Sequence, residues 1–250
     1  MTPPPHGSIS PGTEAFLTVL TCTWFVCVAI RGAWEWSRRR RPQLLILILT
    51  AAIAAFGEAM YDMLANIQQF TSRNGPTVYA AFDRRVDLWV LFGYTSWIAA
   101  MAYLSLLSFE RKWSADSVWK LYAGMVSLQL ALEITLTRTG AYTYYGYQPL
   151  RVLGVPFAWP FVYVSGYVIL GLALHLFGSR GEIRVGGLLF PLVSGGLTLG
   201  AGALMGWPLM LGLGMKLSEP AMTALGAAST LLALAALGVA IKQFGQPGRK

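Results

Sequence analysis

The chain alternates long apolar runs with short polar stretches. Seven runs are rich in Leu, Ile, Val, Ala and Phe, and each is close to the ~20 residues that an α-helix needs to cross a hydrocarbon core. The polar stretches between them carry most of the charged residues. The pattern predicts an all-α fold, a bundle of seven transmembrane helices. The predicted segments are residues 15–30, 42–67, 88–109, 118–136, 155–177, 185–205 and 221–241.

A single transmembrane domain accounts for nearly the whole chain. We expect residues 1–13 to be a disordered lead-in rich in Pro and Gly, residues 14–242 to form the domain, and residues 243–250 to be a tail. The apolar stretch 207–215, which precedes Lys216, leaves open whether the chain re-enters the membrane there.

Composition supports the membrane class. Of the 250 residues, 55% are hydrophobic and 12% are charged, whereas soluble domains average about 25% charged residues. The net charge of +8 raises the possibility of nucleic-acid binding. The Lys and Arg residues lie in short loops between apolar runs, so no free basic face remains to bind nucleic acid.

The distribution of basic residues predicts the orientation of the bundle. If the loops alternate sides, one face of the membrane receives 13 of the 19 Lys and Arg residues, including the run Arg38–Arg41. The face richer in Lys and Arg is normally cytosolic. We therefore predict that the N-terminus is outside and the C-terminus is in the cytosol.

Three carboxyl groups fall inside apolar runs, where an ionisable group is costly and generally functional. Glu58 and Asp62 lie four residues apart on one helix face within residues 54–68, and Glu133 lies in the fourth segment. Counting from Arg41 along a continuous helix places Glu58 about 25 Å from the cytosolic side, in the outer leaflet. Asp62 is one turn further out. We interpret Glu58 as the better proton donor, Asp62 as its ionised partner, and Glu133 as a third catalytic candidate.

Other polar and aromatic residues are predicted to lie at the same outer level and to line a substrate pocket with these acids. Two of them, Tyr61 and Asn66, flank the acidic face of the second segment. The remainder belong to loops and helix ends. These additional pocket candidates are Asp87, Tyr142, Tyr144, Tyr145, Tyr147, Gln148, Trp159 and Glu219.

Structural roles compete with these assignments. Asp87 and Glu219 are also suited to helix starts, where the helix dipole favours a carboxylate. The tyrosine-rich loop 142–147 is also typical of an aromatic belt at the membrane interface. Asp62 has three candidate ion-pair partners, namely Arg84, Arg85 and Arg138.

The available side chains favour acid chemistry without a cofactor. The chain contains no HExxH, CxxC, GxSxG, P-loop or dinucleotide-binding pattern. A buried carboxylic acid that keeps its proton is a proton donor, and aromatic faces stabilise a developing cation. This combination favours protonation of an alkene, enol or ketone in a lipophilic substrate, followed by internal capture of the cation.

Three runs of the chain resemble the AveC-type spirocyclase family: GEAMYDML, VDLWVLFGYTSW and GAYTYYGYQPLRVLGVPFAWPFVYVSGY. The likeness covers residues 54–167 and is best over residues 142–159. Members are actinobacterial integral-membrane proteins, and the namesake closes a spiroketal in a polyketide. The resemblance implies a cofactor-independent cyclase or dehydratase in a bacterial plasma membrane. At matching positions it points to Glu58, Tyr61, Asp62, Trp89, Glu133, Tyr144, Tyr145, Gly146 and Gln148.

A looser similarity links the chain to integral-membrane terpene cyclases of fungal meroterpenoid pathways. These proteins are of similar size and use one acidic residue near the end of helix 2 and another near helix 7, and Glu58 and Glu219 stand at comparable places in this chain. The similarity implies a terpenoid substrate and the same proton-initiated chemistry.

Two functional hypotheses follow. In the first, the protein is a membrane cyclase of the isomerase or intramolecular lyase type, with a lipophilic polyketide or terpenoid as its substrate. In the second, it is a non-catalytic membrane protein that binds or transports a lipophilic ligand. Both have the lipid bilayer and a small lipophilic molecule as partners.

Overall fold

The computed structural model describes residues 7–72, 75–179, 189–215 and 217–244. Most of these residues are helical, which confirms the predicted all-α class. The predicted second segment is a pair of helices. The eight described helices are α1 (Pro11–Arg39), α2 (Gln43–Ala55), α3 (Glu58–Ala65), α4 (Leu88–Glu110), α5 (Ala115–Arg138), α6 (Ala158–Ser179), α7 (Leu189–Gly214) and α8 (Glu219–Phe244).

The helices are those of a multi-pass membrane protein. Five of the described helices (α1, α4, α6, α7 and α8) are long and apolar enough to cross a membrane, and the α2–α3 pair is a sixth candidate if it counts as one span. Helix α5 has 24 residues, but Gln129 and Glu133 lower its hydropathy. Large apolar side chains such as Phe16 and Ile30 are exposed, as expected for surfaces that face lipid.

A sharp bend separates α2 from α3, contrary to the continuous second helix assumed above. The two helices meet at 57°, with Gly57 between them. A Cβ atom at Gly57 would collide with a methyl group of Leu199 on α7, so a larger residue would force that side chain to move. The Tyr79 hydroxyl donates hydrogen bonds to the carbonyl oxygens of Ala55 and Phe56 (3.3 and 3.0 Å). These bonds satisfy carbonyl groups that the break leaves unpaired.

Short strands form between the helices at one end of the bundle, where loops were expected. Among the described residues they make three antiparallel pairs, β1 with β4, β2 with β3, and β5 with β6. The fifth segment, predicted to start at Val155, begins with β6, and its helix starts at Ala158. The strands are β1 (Ile67–Gln69), β2 (Thr77–Ala81), β3 (Arg84–Asp87), β4 (Tyr142–Tyr144), β5 (Arg151–Val152) and β6 (Val155–Pro156).

The bundle therefore has two distinct ends. The strand end carries the six strands and the start of α1, and the basic end carries Arg38–Arg41 and the turn between α4 and α5. Helix α4 packs against α1, α2 and α6, and α6 also packs against α5, α7 and α8. One of the two buried clusters, which includes Trp89, Tyr142 and Trp159, lies at the strand end.

Helix α7 continues through the stretch for which the sequence allowed re-entry into the membrane. Residues 207–214 belong to this helix, although Pro208 lies inside it. Ser229 of α8 accepts a hydrogen bond from Leu209 N (3.1 Å) and donates one to Gly206 O (3.4 Å). These bonds supply partners at the position where proline removes a backbone donor. The predicted start of this segment, residues 185–188, lies outside the described residues.

Candidate functional site

A cavity of about 330 Å³ lies at the strand end, between α1, α4, α5 and the β1–β4 pair. Its walls are mostly aromatic and aliphatic, and its polar groups are few. The residues that matter for its chemistry are Asp62, Gln69, Trp89, Tyr94, Trp97, Gln129, Glu133, Tyr142, Tyr144, Tyr163 and Tyr167.

Glu133 is the centre of a network of neutral hydrogen-bond donors. Gln129 Nε2 donates to Glu133 Oε1 (2.8 Å), and the Tyr144 hydroxyl donates to Oε2 (2.7 Å). The Tyr142 hydroxyl also donates to Oε2. Trp97 Nε1 donates to Gln129 Oε1 (2.7 Å), which fixes the amide so that its NH₂ group faces Glu133. A carboxylate is an acceptor on both oxygens, so this arrangement suits an ionised Glu133.

Local structure explains how these groups converge. Gln129 and Glu133 are four residues apart on α5 and therefore share one face of the helix. Tyr142 and Tyr144 are two residues apart on β4, so both side chains point to the same side of the strand. Burial, followed by the charge of Glu133, raises the pKa of both tyrosines well above the usual value. Both remain neutral donors.

Asp62 is hydrogen-bonded very differently. Gln69 Nε2 donates to Asp62 Oδ2 (2.8 Å) and, more weakly, to Glu58 Oε1 (3.3 Å). Asp62 Oδ1 is buried and has no hydrogen-bond partner within the described part of the chain. The Glu58 and Asp62 carboxyl groups contact each other. A hydrogen bond between two carboxyl groups needs a proton on one of them.

The β1–β4 pair brings the two acidic centres together. Gln69, the donor to Asp62, lies directly opposite Tyr142, a donor to Glu133. Residues opposite each other in an antiparallel pair have neighbouring side chains. One cross-strand pair therefore joins the hydrogen-bond networks of the two acids. Asp62 and Glu133 both line the same cavity.

Glu58 lines a separate compartment of about 50 Å³ behind the cavity, together with Tyr61. Tyr94, Tyr163 and Tyr167 line both spaces and form the partition between them. The expected order of depth, with Glu58 in the membrane slab and Asp62 at its rim, assumed a straight helix. The bend at Gly57 redirects α3, and both carboxyl groups are buried, with Asp62 fully enclosed.

Gln148 and Trp159 support the site from behind. Trp159 Nε1 donates to Gln148 Oε1 (2.9 Å), and Gln148 Nε2 donates to the carbonyl oxygen of Ala65 at the end of α3 (2.7 Å). The Trp159 ring stacks on Tyr163 with centroids 5.9 Å apart. These two predicted binding residues position α3 and the tyrosine partition, and they do not line the larger cavity.

Glycines of α7 make room for this aromatic layer. A Cβ atom at Gly202 would lie 3.2 Å from the Tyr61 ring, and one at Gly206 would lie 3.0 Å from Trp159. Gly202 and Gly206, which are four residues apart, therefore allow close packing inside the molecule.

The other predicted pocket residues lie outside the cavity. Asn66 ends α3 in a left-handed conformation (φ 52°). Tyr145 accepts a hydrogen bond from Arg84 Nη2 (2.6 Å), and Tyr147 is half-buried in the strand-end cluster. Glu219 is exposed at the first turn of α8, which agrees with its alternative role as a helix start.

Asp87 is buried at the N-cap position of α4, in agreement with the alternative that it starts a helix. Its Oδ1 accepts a hydrogen bond from Thr77 Oγ1 (2.9 Å). Its carboxyl group also contacts that of Glu14, a buried residue of α1 that accepts a hydrogen bond from Ser72 N (2.8 Å). Burial, aided by Glu14, raises the pKa of Asp87 to about 6.

The three arginines considered as partners of Asp62 have other contacts. Arg84 donates to the carbonyl oxygens of Ile67 (3.2 Å) and Phe82 (2.9 Å), and Arg85 lies 3.9 Å from Asp87. Arg138 is exposed in the last turn of α5. Among the described residues, Asp62 forms no ion pair with any of them.

Sequence reasoning missed several cavity residues. Tyr94, Trp97, Tyr163 and Tyr167 are neutral residues in apolar runs, where they resemble ordinary packing, and Gln69 lies in the polar stretch after the second run. Gln129 was detectable, since an amide four residues before Glu133 in an apolar helix is itself a costly polar group. No comparable sequence pattern indicated the β1–β4 pairing that brings Gln69 opposite Tyr142.

No protein-family model, curated protein or solved structure matches the chain. The likeness to AveC-type spirocyclases therefore stays a prediction that depends on the runs of sequence that carry it.

Proposed function

We propose that the protein is a membrane-embedded cyclase that protonates a lipophilic polyketide or terpenoid to start its cyclisation. The observation that carries this proposal is the presence of two acids with contrasting hydrogen bonding, Asp62 and Glu133, in one apolar cavity. Acid catalysis needs one group that gives a proton and another that receives it. The cavity volume of about 330 Å³ lies within the range of small-molecule sites.

Asp62 is the proposed proton donor, a change from the sequence-based preference for Glu58. Its Oδ1 has no partner among the described residues, and its side chain lines the larger cavity. Glu58 lines the rear compartment and contacts Asp62, so it acts as the partner with which Asp62 shares a proton. Two carboxyl groups in contact favour the state with a single proton between them.

Glu133 is the proposed proton acceptor and counter-charge. Its three neutral donors stabilise a carboxylate without a neighbouring cation. Its negative charge is thus available to a substrate cation. Trp97 and Tyr94 line the same cavity, and aromatic rings stabilise positive charge.

The proposed reaction balances without any cofactor. Asp62 transfers a proton to an alkene carbon or a carbonyl oxygen of the substrate. An internal hydroxyl oxygen or a second alkene then attacks the cationic carbon and forms the new C–O or C–C bond. Glu133 takes the proton released from that hydroxyl or from a carbon beside the final cation. Return of this proton from Glu133 to Asp62 restores both groups, and the product is an isomer of the substrate.

We infer a topology of seven spans, with the strand end outside and the basic end in the cytosol. The distribution of Lys and Arg supports this orientation. Counting α2 and α3 as one bent span and α5 as another gives the seven. The site then lies in the outer half of a bacterial plasma membrane.

Conversion of candidate substrates by membranes that contain the protein tests the proposal. The comparison is between the wild-type protein and the double variant Asp62→Asn/Glu133→Gln, incubated with linear polyketide and polyprenyl substrates. Cyclised products should form only with the wild type, as measured by liquid chromatography and mass spectrometry. Glu110→Gln is a matched control, because Glu110 pairs with Arg41 at the basic end. Equal conversion by the double variant would refute the assignment.

The alternative, binding or transport of a lipophilic ligand without conversion, is favoured by the apolar rim of the cavity, where Leu20 and Trp24 are exposed. It predicts tight binding of a test substrate that is recovered unchanged from both proteins. Recovery of a cyclised product excludes it.

A further inference from the structure

One side of the cavity is edged by apolar side chains that are partly exposed. Leu20 and Trp24 line the cavity, yet 51% and 44% of their surfaces are exposed. They are four residues apart and share one face of α1. Leu132 and Leu136 of α5 have the same spacing, line the same cavity and are only partly buried. One face of α1 and one face of α5 therefore border a gap that leads into the cavity.

The packing of α1 leaves this gap uncovered. Helix α1 is held against α4, where Thr21 contacts Gly93 and the rings of Phe25 and Phe92 lie 4.8 Å apart. The other helix that α1 packs against is α2. Within the described residues, no comparable packing holds α1 against α5.

The gap lies at the level of lipid hydrocarbon. Leu20 and Trp24 follow Pro11 by 9 and 13 residues, so they lie about 14 and 20 Å along α1. Leu132 precedes Arg138 by six residues, or about 9 Å. An opening at these distances from the helix ends faces acyl chains, because the hydrocarbon core is about 30 Å thick.

The polar wall of the cavity includes Asp62 and Gln69, together with Gln129 and Glu133 of α5, the helix that also carries Leu132 and Leu136. Asp62 and Gln69 line the cavity, and each has a buried side-chain oxygen atom without a partner among the described residues. Glu133 already accepts three hydrogen bonds from neutral donors, and no cation forms an ion pair with it within the described ranges. A charged headgroup would therefore gain little at this wall, whereas a neutral hydroxyl or carbonyl group fits it.

We propose that the gap between α1 and α5 is a lateral portal through which an elongated, neutral, mainly hydrocarbon molecule passes from the bilayer into the cavity. The hydrogen-bonding group of this molecule meets Asp62 and Gln69, and its chain lies along Leu20, Trp24, Leu132 and Leu136. This molecule is the substrate class of the proposed cyclase. Its conversion rests on the proposed function, whereas its binding does not.

Photolabelling in liposomes tests the portal without any need for turnover. The probe is hexadecanol that carries a diazirine on its chain, and adducts are mapped by mass spectrometry. We expect labelling at the rim and on the interior peptide that covers residues 89–94. The plugged variant Leu20→Trp/Leu132→Trp should lower interior labelling at least fivefold. Unchanged interior labelling would overturn the proposal.

Matched variants separate blockage of the gap from a general disturbance. Val19→Trp and Leu128→Trp place the same bulk on exposed positions of α1 and α5 that do not line the cavity, and they should label like the wild type. Leu20→Ala/Leu132→Ala widens the gap and should raise interior labelling. If the plugged protein unfolds, a failure of this widened variant to raise labelling still contradicts the portal.

A second probe identifies the occupant. Phosphatidylcholine with the same diazirine chain should label the rim and leave the interior peptide unlabelled, because its charged headgroup stays at the interface. Equal interior labelling by both probes would contradict a neutral occupant. The inactive Glu133→Gln protein should still admit hexadecanol, so loss of cyclase activity and loss of the portal are distinguishable.

Discussion

The two ends of the bundle bury carboxyl groups in opposite ways. At the basic end, Glu35 is 2.7 Å from Arg31 and also accepts a hydrogen bond from Tyr103. At the strand end, Glu133 is equally enclosed and also bound by tyrosine, but its donors are all neutral. Asp62, on the same cavity, has a single strong donor, Gln69.

This difference separates structural from chemical roles. An ion pair neutralises a buried carboxylate and commits it to one partner. A carboxylate held by neutral dipoles keeps its charge for a ligand, and an under-bonded acid keeps a free oxygen. Asp62 and Glu133 therefore differ from Glu35 in what they leave available.

The largest expected effect is that of Asp62→Asn, which removes the proposed acid but keeps the shape of the side chain. Loss of a general acid typically lowers a rate by about 10²–10⁴-fold. We expect the rate of product formation to fall by this factor, with the protein still folded in detergent. Glu58→Gln should have a smaller effect, because its carboxyl group lies behind the tyrosine partition. Equal rates in wild-type and Asp62→Asn membranes would place the acid elsewhere.

Glu133→Gln tests the contrast between the two ends directly. Removal of one preorganised electrostatic group usually costs about 10²–10³-fold in rate, and we expect a loss in this range. Glu35→Gln should leave the rate nearly unchanged and lower the unfolding temperature instead, because it breaks the ion pair with Arg31. If both variants lose activity alike, the distinction between the ends is wrong.

The tyrosine donors should have an intermediate effect. Tyr144→Phe deletes one of three hydrogen bonds to Glu133 and should lower the rate by about 10- to 150-fold, given a net value of 1.5–3 kcal/mol for a hydrogen bond to a charged group. Tyr103→Phe deletes the corresponding bond to Glu35 and should not change the rate. Product assays on the two variants side by side measure the difference. A larger loss from Tyr103→Phe would reverse the comparison.

The smallest effect concerns pH and the contact between α1 and the β2–β3 hairpin. The folded-state pKa of Asp87, about 6, exceeds the unfolded value of about 3.9, so the folded protein binds this proton more tightly. The stabilisation is fully present below about pH 4 and is lost as pH rises through about 6. Thermal unfolding between pH 4 and 7 should therefore show a steeper decline in the wild type than in Asp87→Asn. Parallel curves would show that Asp87 does not contribute.

Much of the fold was predictable because the solvent for these helices is lipid. A helix that spans hydrocarbon must be long and apolar, and six of the seven predicted segments match single described helices, although the start of the sixth lies outside the described residues. The bend at Gly57 was not predictable, since it depends on Leu199 approaching from α7 and on Tyr79 satisfying the freed carbonyl groups.

The candidate site was predictable only in part. Glu58, Asp62 and Glu133 stand out because carboxyl groups in apolar runs are costly. The roles of the surrounding residues depend on how the neighbouring backbone segments fold. Gln148 and Trp159 support α3 from behind, whereas Gln69 and Tyr94 face the cavity.

The sequence by itself determined that the protein is an all-α membrane protein with acids buried near one end, because hydrophobic length and the cost of buried charge are local properties of the chain. Only the tertiary structure decided which acid faces the cavity and which donors it meets. The pairing of Gln69 with Tyr142 joins residues more than 70 positions apart. Such a contact follows from the packing of distant segments, which no local pattern records.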